Sequence, residues 1–221
     1  MKNNRVAILI DGSFFLKRYY SLINRERNHS PGKVAKHLYT MAHLHVGKEN
    51  HLYRIFYYDC TPSEKRVHHP LTNKCINFSK TEQHEFRVQF FEELKKKRKV
   101  ALRLGYLRDS GNWIINPKHT KSLIRKDINI STLKEEDFTY EFRQKGIDIK
   151  IGVDIASMAY KKLVDRIILI AGDADFVPAA KLARREGIDF ILDPMWNPID
   201  DFLFEHIDGL KSTCRKIIPE K

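Results

Sequence analysis

Short apolar runs, each followed by an aspartate, recur four times along the chain. The runs cover residues 7–10 before Asp11, 55–58 before Asp59, 167–172 before Asp173 and 190–192 before Asp193. Because the runs do not alternate with polar residues, they predict strands buried on both faces, which is typical of a parallel sheet. Open parallel sheets bind ligands beyond the carboxyl ends of their strands, so the pattern predicts several carboxylates along one edge.

The wider pattern predicts an α/β fold in which a parallel sheet of about five strands is flanked by helices. The expected strands cover residues 6–10, 52–58, 100–107, 166–171 and 188–192. Helical spacing of apolar residues predicts a helix from Phe14 and further helices at 33–46, 81–97, 148–163 and 175–186. Alternation of strands and helices in this order favours a Rossmann-like arrangement.

Two segments interrupt this pattern. Residues 61–80 contain two prolines and few apolar side chains, which predicts an exposed loop near the edge of the sheet. Residues 110–112 are a turn signal, so residues 113–115 are expected to return as a hairpin partner and to complete a small inserted hairpin and loop region. Residues 117–140 have no clear assignment. We expect one domain over residues 1–221, with a core at 5–193 and a C-terminal extension at 194–221.

The charge balance points to a polyanionic partner. The 221 residues include 40 Lys and Arg against 28 Asp and Glu, a net charge of +12. This excess favours nucleic acid over an anionic membrane, although a basic protein without such a partner is the alternative. Three widely spaced cysteines suit a reducing, cytoplasmic location. The first apolar run is too short for a signal peptide or membrane span, so no membrane association is expected. A homo-oligomer is compatible with the sequence.

The acidic residues are the strongest candidates for chemistry. Asp173 and Asp175 flank one alanine at a strand-to-helix junction, where a single aspartate would suffice as a cap. Asp11, before Gly12, is equally consistent with a helix cap and a ligand. Asp154 lies within an apolar helix, where a carboxylate is costly unless it is paired or binds a metal. A narrow exposed stripe is the alternative for Asp154.

Asp148 is expected to be the N-cap of the same helix and an accessory to the site. It lies six residues before Asp154, roughly 240° around the helix, so the two side chains should not share a face. Carboxylates from two strand ends and one helix predict a site for one or two Mg²⁺ or Mn²⁺ ions. Such ions activate a bound water and clamp a phosphate during in-line displacement.

Basic and aromatic side chains are candidates for contacts with nucleic acid. The basic candidates are Lys95, Lys96, Lys97, Arg98 and Lys145. A solvated helix end is the alternative explanation for the basic run that begins at Lys95. The aromatic residues near strand ends are expected either to stack on bases or to belong to the core. They are Phe14, Phe15, Tyr57, Tyr58 and Trp196.

Three blocks of sequence together resemble the NYN domains of the PIN-like nuclease superfamily, and most closely the bacterial LabA-type group. The blocks are Ile8-Leu9-Ile10-Asp11-Gly12, then Gln144-Lys145-Gly146-Ile147-Asp148 through Val153-Asp154-Ile155-Ala156, then Ile170-Ala171-Gly172-Asp173-Ala174-Asp175-Phe176-Val177-Pro178. The last two blocks are specific, whereas the first is weak by itself. The resemblance extends from Val6 to about Leu192.

This resemblance implies a metal-dependent ribonuclease, expected to be an endoribonuclease acting on single-stranded or structured RNA. By motif position, Asp11, Asp154, Asp173 and Asp175 would be the catalytic and metal-binding carboxylates, with Mg²⁺ or Mn²⁺ as the cofactor. Many members place an asparagine shortly after the first Asp-Gly, where this chain has Ser13. Ser13 is therefore expected to be an accessory polar contact, and fine positioning of the substrate is the property this departure affects.

Two other functions remain open from the sequence. The first is an RNA-binding or protein-interaction module of the same fold with little or no catalysis. The second is a phosphatase or a DNA-directed flap nuclease. A phosphatase with an aspartyl nucleophile would place a second aspartate two positions after the first, whereas Asp11 is followed there by Ser13.

Overall fold

The computed structural model describes residues 4–215, which form a central sheet with helices on both faces. The strands are β1 (Arg5–Asp11), β2 (His51–Cys60), β3 (Arg66–His68), β4 (Cys75–Asn77), β5 (Val100–Ile115), β6 (Phe138–Lys145), β7 (Arg166–Ile170), β8 (Asp189–Asp193) and β9 (Gly209–Leu210). The α-helices are α1 (Gly12–Leu22), α2 (Pro31–Val46), α3 (Glu82–Lys95), α4 (Pro117–Ile124), α5 (Ile147–Tyr160), α6 (Val177–Arg185) and α7 (Asp201–Phe204). Within residues 4–215, no helix is long and apolar enough to cross a bilayer.

The main sheet has seven strands in the order β6-β5-β2-β1-β7-β8-β9. All five strands predicted from the apolar runs are present and parallel, and the α/β prediction is confirmed. The expected number of strands was too small, because β9 adds a short parallel strand and β6 an antiparallel one. Asp11 pairs in register with Tyr58, and Ile170 with Asp193, so the carboxyl ends of four neighbouring strands share one edge.

The central strand β1 is buried on both faces, which explains its unbroken apolar sequence. Its five residues from Val6 to Ile10 are 0% exposed. Val6, Ile8 and Ile10 belong to the core beneath α1, α2 and α3, whereas Ala7 and Leu9 belong to the core beneath α5 and α6. Complete burial of this strand fixes the position of Asp11 at its end.

The inserted region differs from the prediction. Residues 61–80 are not simply a loop, because β3 and β4 form an antiparallel hairpin followed by a 3-10 turn at Phe78–Lys80. Residues 113–115 do not fold back on β5. They continue it, and Trp113 pairs with Tyr140 of β6 after a register shift. Gly111, at φ +74°, allows an irregularity within the strand rather than a reversal of the chain. Residues 117–140, which had no clear assignment from the sequence, contain α4 and the start of β6.

The start of α5 also differs from the prediction. Gly146 is the N-cap residue, at φ +82°, and Asp148 lies inside the first turn, so the assignment of Asp148 as the cap was wrong. Glycine adopts this left-handed conformation at no steric cost. As a result, the carboxylate of Asp148 is not used in capping α5. It is placed near the start of the helix, where the helix dipole favours negative charge.

Gly152, in the middle of α5, offers a direct test of this helix. A Cβ atom built at this residue meets nothing within 4 Å, so alanine should fit without strain. We expect Gly152→Ala to raise the free energy of unfolding by about 1 kcal/mol, because alanine loses less backbone entropy on folding. Differential scanning fluorimetry should show an increase in Tm of about 3 °C.

Gly105 provides the contrasting variant. A Cβ atom there would overlap the carbonyl oxygen of Lys145 and lie 3.4 Å from the Sγ atom of Cys60. Gly105→Ala should therefore lower Tm. Equal shifts in the two variants would show that packing around these glycines is not as described.

Candidate functional site

Two of the strand-end aspartates line one groove at the carboxyl edge of the sheet. Asp11 is the N-cap of α1, and its Oδ1 atom accepts a hydrogen bond from the N–H of Phe14 at 3.1 Å. Asp173 follows β7, and its Oδ1 accepts from the N–H of Asp175 at 3.1 Å. The groove has a volume of about 560 Å³ and is also lined by Ser13, Phe14, Lys17, Arg18, Ser21, Gly172, Ala174 and Asn197. We refer to this cavity as the acidic groove.

The charges of Asp148 and Asp175 act on the same region. Burial, with a smaller contribution from the charge of Asp148, raises the pKa of Asp11 to about 6 against the opposing effect of the Phe14 N–H. The pKa of Asp148 is itself raised, first by partial loss of water around its carboxylate and then by the charges of Asp173 and Asp175. Asp148 therefore links the acidic residues, because its charge acts on Asp11 and the charges of Asp173 and Asp175 act on it.

Asp154 has a different environment. Its Oδ2 atom accepts hydrogen bonds from the hydroxyl of Tyr58 at 2.8 Å and from Nε of Arg103 at 2.9 Å. This ion pair, with a cation from β5, explains how a carboxylate is accommodated on an apolar helix. The structure thus brings Asp148 into electrostatic contact with the other acidic residues, and it places Asp154 against Arg103. The role of Asp154 as a metal ligand stays a prediction.

The other two strand-end aspartates are buried with partners. Asp59 is 1% exposed and bonds to Arg87, while its Oδ2 also accepts from the Tyr57 hydroxyl at 3.2 Å. Burial raises the pKa of Asp59, and the positive charge of Arg87 opposes that shift. Asp193 is 0% exposed and lies 2.8 Å from Nε2 of His45. A strand-end position alone therefore does not identify a site residue.

The donor chemistry of the groove fits a hard divalent cation. Carboxylate oxygens are the ligands that Mg²⁺ and Mn²⁺ prefer, and a cation would offset the burial and the nearby charges that raise the pKa of Asp148. Among residues 4–215, however, no group of three or more His, Cys, Asp or Glu side chains is already arranged to hold a metal. The fit is one of chemistry and charge, and a complete set of ligands requires side chains to rotate toward a common point.

The structure places the predicted accessory residue Ser13 in the groove and adds Lys17 and Ser21, which sequence patterns did not single out. Ser13, Lys17 and Ser21 recur at four-residue steps along α1, and all three line the groove. Their four-residue spacing just after Asp11 places them on one face of a helix that begins at the strand end, and this pattern was visible in the sequence. Arg18 donates to the carbonyl oxygen of Met195 at 3.0 and 2.7 Å and so ties α1 to the loop that carries Asn197.

The predicted basic contacts fall at two ends of the molecule. Lys145 ends β6 directly before the first turn of α5, at the edge that carries the acidic residues. The run that begins at Lys95 precedes β5, at the amino edge of the sheet, where Lys95 and Lys96 pair with Glu92 and Glu93 at 2.6 Å. The seven-residue β1 separates these edges by about 20 Å. The structure thus does not bring Lys95, Lys96, Lys97 and Arg98 to the groove.

Most of the aromatic candidates belong to the core. Tyr57, Tyr58 and Phe15 are 0% exposed, which excludes stacking on a base in this conformation. Phe14 lines the groove, and its ring occupies the space that a Cβ atom on Gly172 would need. Trp196 is partly exposed and donates through Nε1 to the carbonyl oxygen of Cys214 at 2.8 Å.

Comparison with known proteins supports the family resemblance. The family model of the NYN domain matches residues 77–196, slightly more than half of the chain. No functionally curated protein matches the sequence. The solved structures with similarity include a protein of unknown function from Vibrio parahaemolyticus, which is 15% identical over 96% of each chain with a TM-score of 0.47.

The raised pKa of Asp11 generates a prediction about stability. Its folded value of about 6 exceeds its ordinary value of 3.8, so the folded state retains a proton that the unfolded state releases. This group therefore lowers the free energy of unfolding as pH rises from about 4 to 6, by about 3 kcal/mol in total. Asp11→Asn removes this cost and keeps a capping acceptor for the N–H of Phe14. Urea denaturation without metal should show a more stable variant at about pH 8 and little difference at about pH 4.

Asp154→Asn is the control for this measurement. It removes a carboxylate that is paired with Arg103, so it should lower stability at about pH 8 rather than raise it. A destabilised Asp11→Asn variant at about pH 8 would contradict the electrostatic description of the groove.

Proposed function

Because this chain belongs to the NYN domain family of the PIN-like nuclease superfamily, we propose that it is a metal-dependent ribonuclease acting at the acidic groove. The observation that carries the proposal is that Asp11 and Asp173, from two neighbouring strands, line one groove together with Lys17. Acidic and basic groups at a single site suit a phosphodiester, because the acids hold cations and the base pairs with phosphate oxygens. The net charge of +12 attracts the polyanionic substrate.

The metal would be held by Asp11, Asp148, Asp173 and Asp175. PIN-like nucleases generally use divalent metals, and Mg²⁺ or Mn²⁺ suits these oxygen ligands. When bound, the ion supplies an activated water and stabilises charge on the phosphate. Asp154 becomes available to a cation only when its pair with Arg103 opens, so we assign Asp148 ahead of it.

The remaining groove residues would bind and orient the RNA. Lys17 pairs with a phosphate oxygen near the carboxylates, while Ser13 and Asn197 supply short polar side chains for hydrogen bonds. The partial burial that raises the pKa of Asp11 also lowers the local dielectric, which strengthens each of these interactions. Cleavage within a strand, rather than from an end, is the form that we propose.

A non-catalytic RNA-binding module is the second candidate. The observation that favours it is the lack, within residues 4–215, of an arranged group of three metal-binding side chains. In that case the groove would hold RNA through Lys17 and its polar neighbours without turnover.

Cleavage of labelled single-stranded RNA with and without Mn²⁺ separates the two candidates. We expect the native protein to cleave only with metal, and Asp173→Asn and Asp148→Asn to lose at least about a hundredfold in rate while RNA binding is kept. Asp154→Asn should lose less, because Arg103 already balances its charge. Gel electrophoresis of the products and anisotropy of the labelled RNA give the two readouts.

Asp189→Asn is the matched control, since Asp189 lies at the opposite edge of the sheet and pairs with Arg166. Cleavage by Asp173→Asn at the native rate would remove the assignment. Tight binding of RNA without cleavage by the native protein would support the module instead.

The position of Lys17 generates a prediction about binding. Lys17→Gln removes a cation from the groove, so it should weaken binding of RNA and reduce the slope of log Kd against log salt by about 1. Lys96→Gln should change the slope less, because Lys96 already pairs with Glu93 at the far edge. A larger effect of Lys96→Gln would mean that the basic run, not the groove, holds the RNA backbone.

A further inference from the structure

A second cavity adjoins the acidic groove, where segments outside the parallel core meet the carboxyl end of β2. Its volume is about 470 Å³. Phe78 comes from the 3-10 turn of the inserted segment, Tyr140 and Phe142 from β6, and His84 and Arg87 from α3. We refer to it as the aromatic cavity. Its size suits one small planar group rather than a folded partner.

The aromatic walls are held in place by contacts among themselves. The ring centroids of Phe78 and Phe142 are 4.9 Å apart at 77°, and those of Tyr140 and Phe142 are 5.1 Å apart at 63°. Lys65 of the inserted segment donates to the Tyr140 hydroxyl at 3.2 Å, and Asp109 accepts from the same hydroxyl at 2.6 Å. The inserted segment is thereby fixed against β6, so the aromatic cavity is formed before any ligand arrives.

The cavity also carries polar side chains that can form hydrogen bonds with the edge of a bound planar ring. Gln144, with an amide donor and acceptor, lies in its wall, and its Nε2 atom is 3.4 Å from Oδ1 of Asp59. Arg87 bonds to the other oxygen of Asp59. Aromatic faces combined with fixed polar edges match an unpaired nucleobase, which stacks through its faces and bonds through its edge.

Ser13 connects the two cavities. It follows Asp11 and Gly12 at the start of α1, and it lines both the acidic groove and the aromatic cavity. The Asp11 and Asp59 charges also interact across this boundary. A nucleotide with its phosphate in the groove thus has a base-sized cavity next to it.

We propose that the aromatic cavity is a nucleobase subsite that makes the protein bind single-stranded RNA through an unstacked base beside the phosphate at the acidic groove. This rests on the proposed RNA substrate and adds that duplex RNA is excluded, because a paired base cannot enter the cavity. Phe78 and Phe142 stack on the base, and Gln144 contacts its edge. These residues determine which strand binds and are separate from those that would cleave it.

The test compares two short RNA strands of equal length, one normal and one whose sugars all lack bases. Their phosphate charges are the same, so the electrostatic contribution common to both strands cancels, and the cavity variants then isolate the part of the difference in Kd that comes from base contacts. Measured by fluorescence anisotropy in EDTA, the native protein should prefer the normal strand by about tenfold, the size expected for one stacked base. Phe142→Leu and Phe78→Leu keep apolar volume and should reduce that preference to about twofold, with the salt dependence of binding unchanged.

Phe86→Leu is the matched control, because Phe86 is a half-buried aromatic residue of α3 that packs on Phe90 and Tyr20 instead. It should retain the native preference. Equal binding of both strands by the native protein, or a full preference in both cavity variants, would overturn the subsite. Metal-dependent cleavage without a base preference would overturn the subsite and leave the ribonuclease standing. A base preference without cleavage would support the subsite and overturn the ribonuclease. Failure to bind either strand would overturn both.

Discussion

The burial of β1, which holds the Asp11 carboxylate beside that of Asp148 at the edge of the sheet, is the constraint on which the candidate site depends. The core on both faces of β1 fixes the backbone of the strand, and with it the position of the partly exposed Asp11 at the strand end. Its neighbours Asp148 and Asp173 come from elements that pack on the same sheet. The packing of the sheet therefore holds the Asp11 carboxylate where burial first, and the charge of Asp148 second, raise its pKa. A protein that maintains such an arrangement gains most from it when a cation is bound.

Three other aspartates of this fold show how the same charge is compensated by a basic partner. Asp59, Asp154 and Asp193 each have a basic side chain as a hydrogen-bonding partner: Arg87, Arg103 and His45 respectively. These partners come from distant parts of the chain. These three carboxylates are thus compensated by groups from other elements, whereas Asp11 and Asp173 line the groove with backbone N–H groups as their hydrogen-bond donors.

The comparison with the sequence follows from the same distinction. Strands buried on both faces have a local signature, so the five parallel strands and the edge that carries their aspartates could be predicted from apolar runs alone. The motifs also identified the family. Sequence patterns could not predict contacts between distant segments, such as the ion pair of Arg103 with Asp154 or the pairing of β6 with the continuation of β5. Because the ion pair with Arg103 could not be predicted from the sequence, Asp154 was ranked above Asp148 as a metal ligand, and our proposal reverses that order. The hairpin of β3 and β4 was missed because its strands are only three residues long.

The length of β5 has an evolutionary consequence. Only its first six residues, Val100 to Gly105, pair with β2, and the remainder projects past the parallel sheet to pair with β6. Insertions, deletions or substitutions in the part of β5 beyond Gly105 leave the hydrogen bonds of the central strands intact. Substitutions beyond Gly105 can therefore accumulate and reshape the wall formed with β6 without disturbing the pairing of β1, β2 and β7.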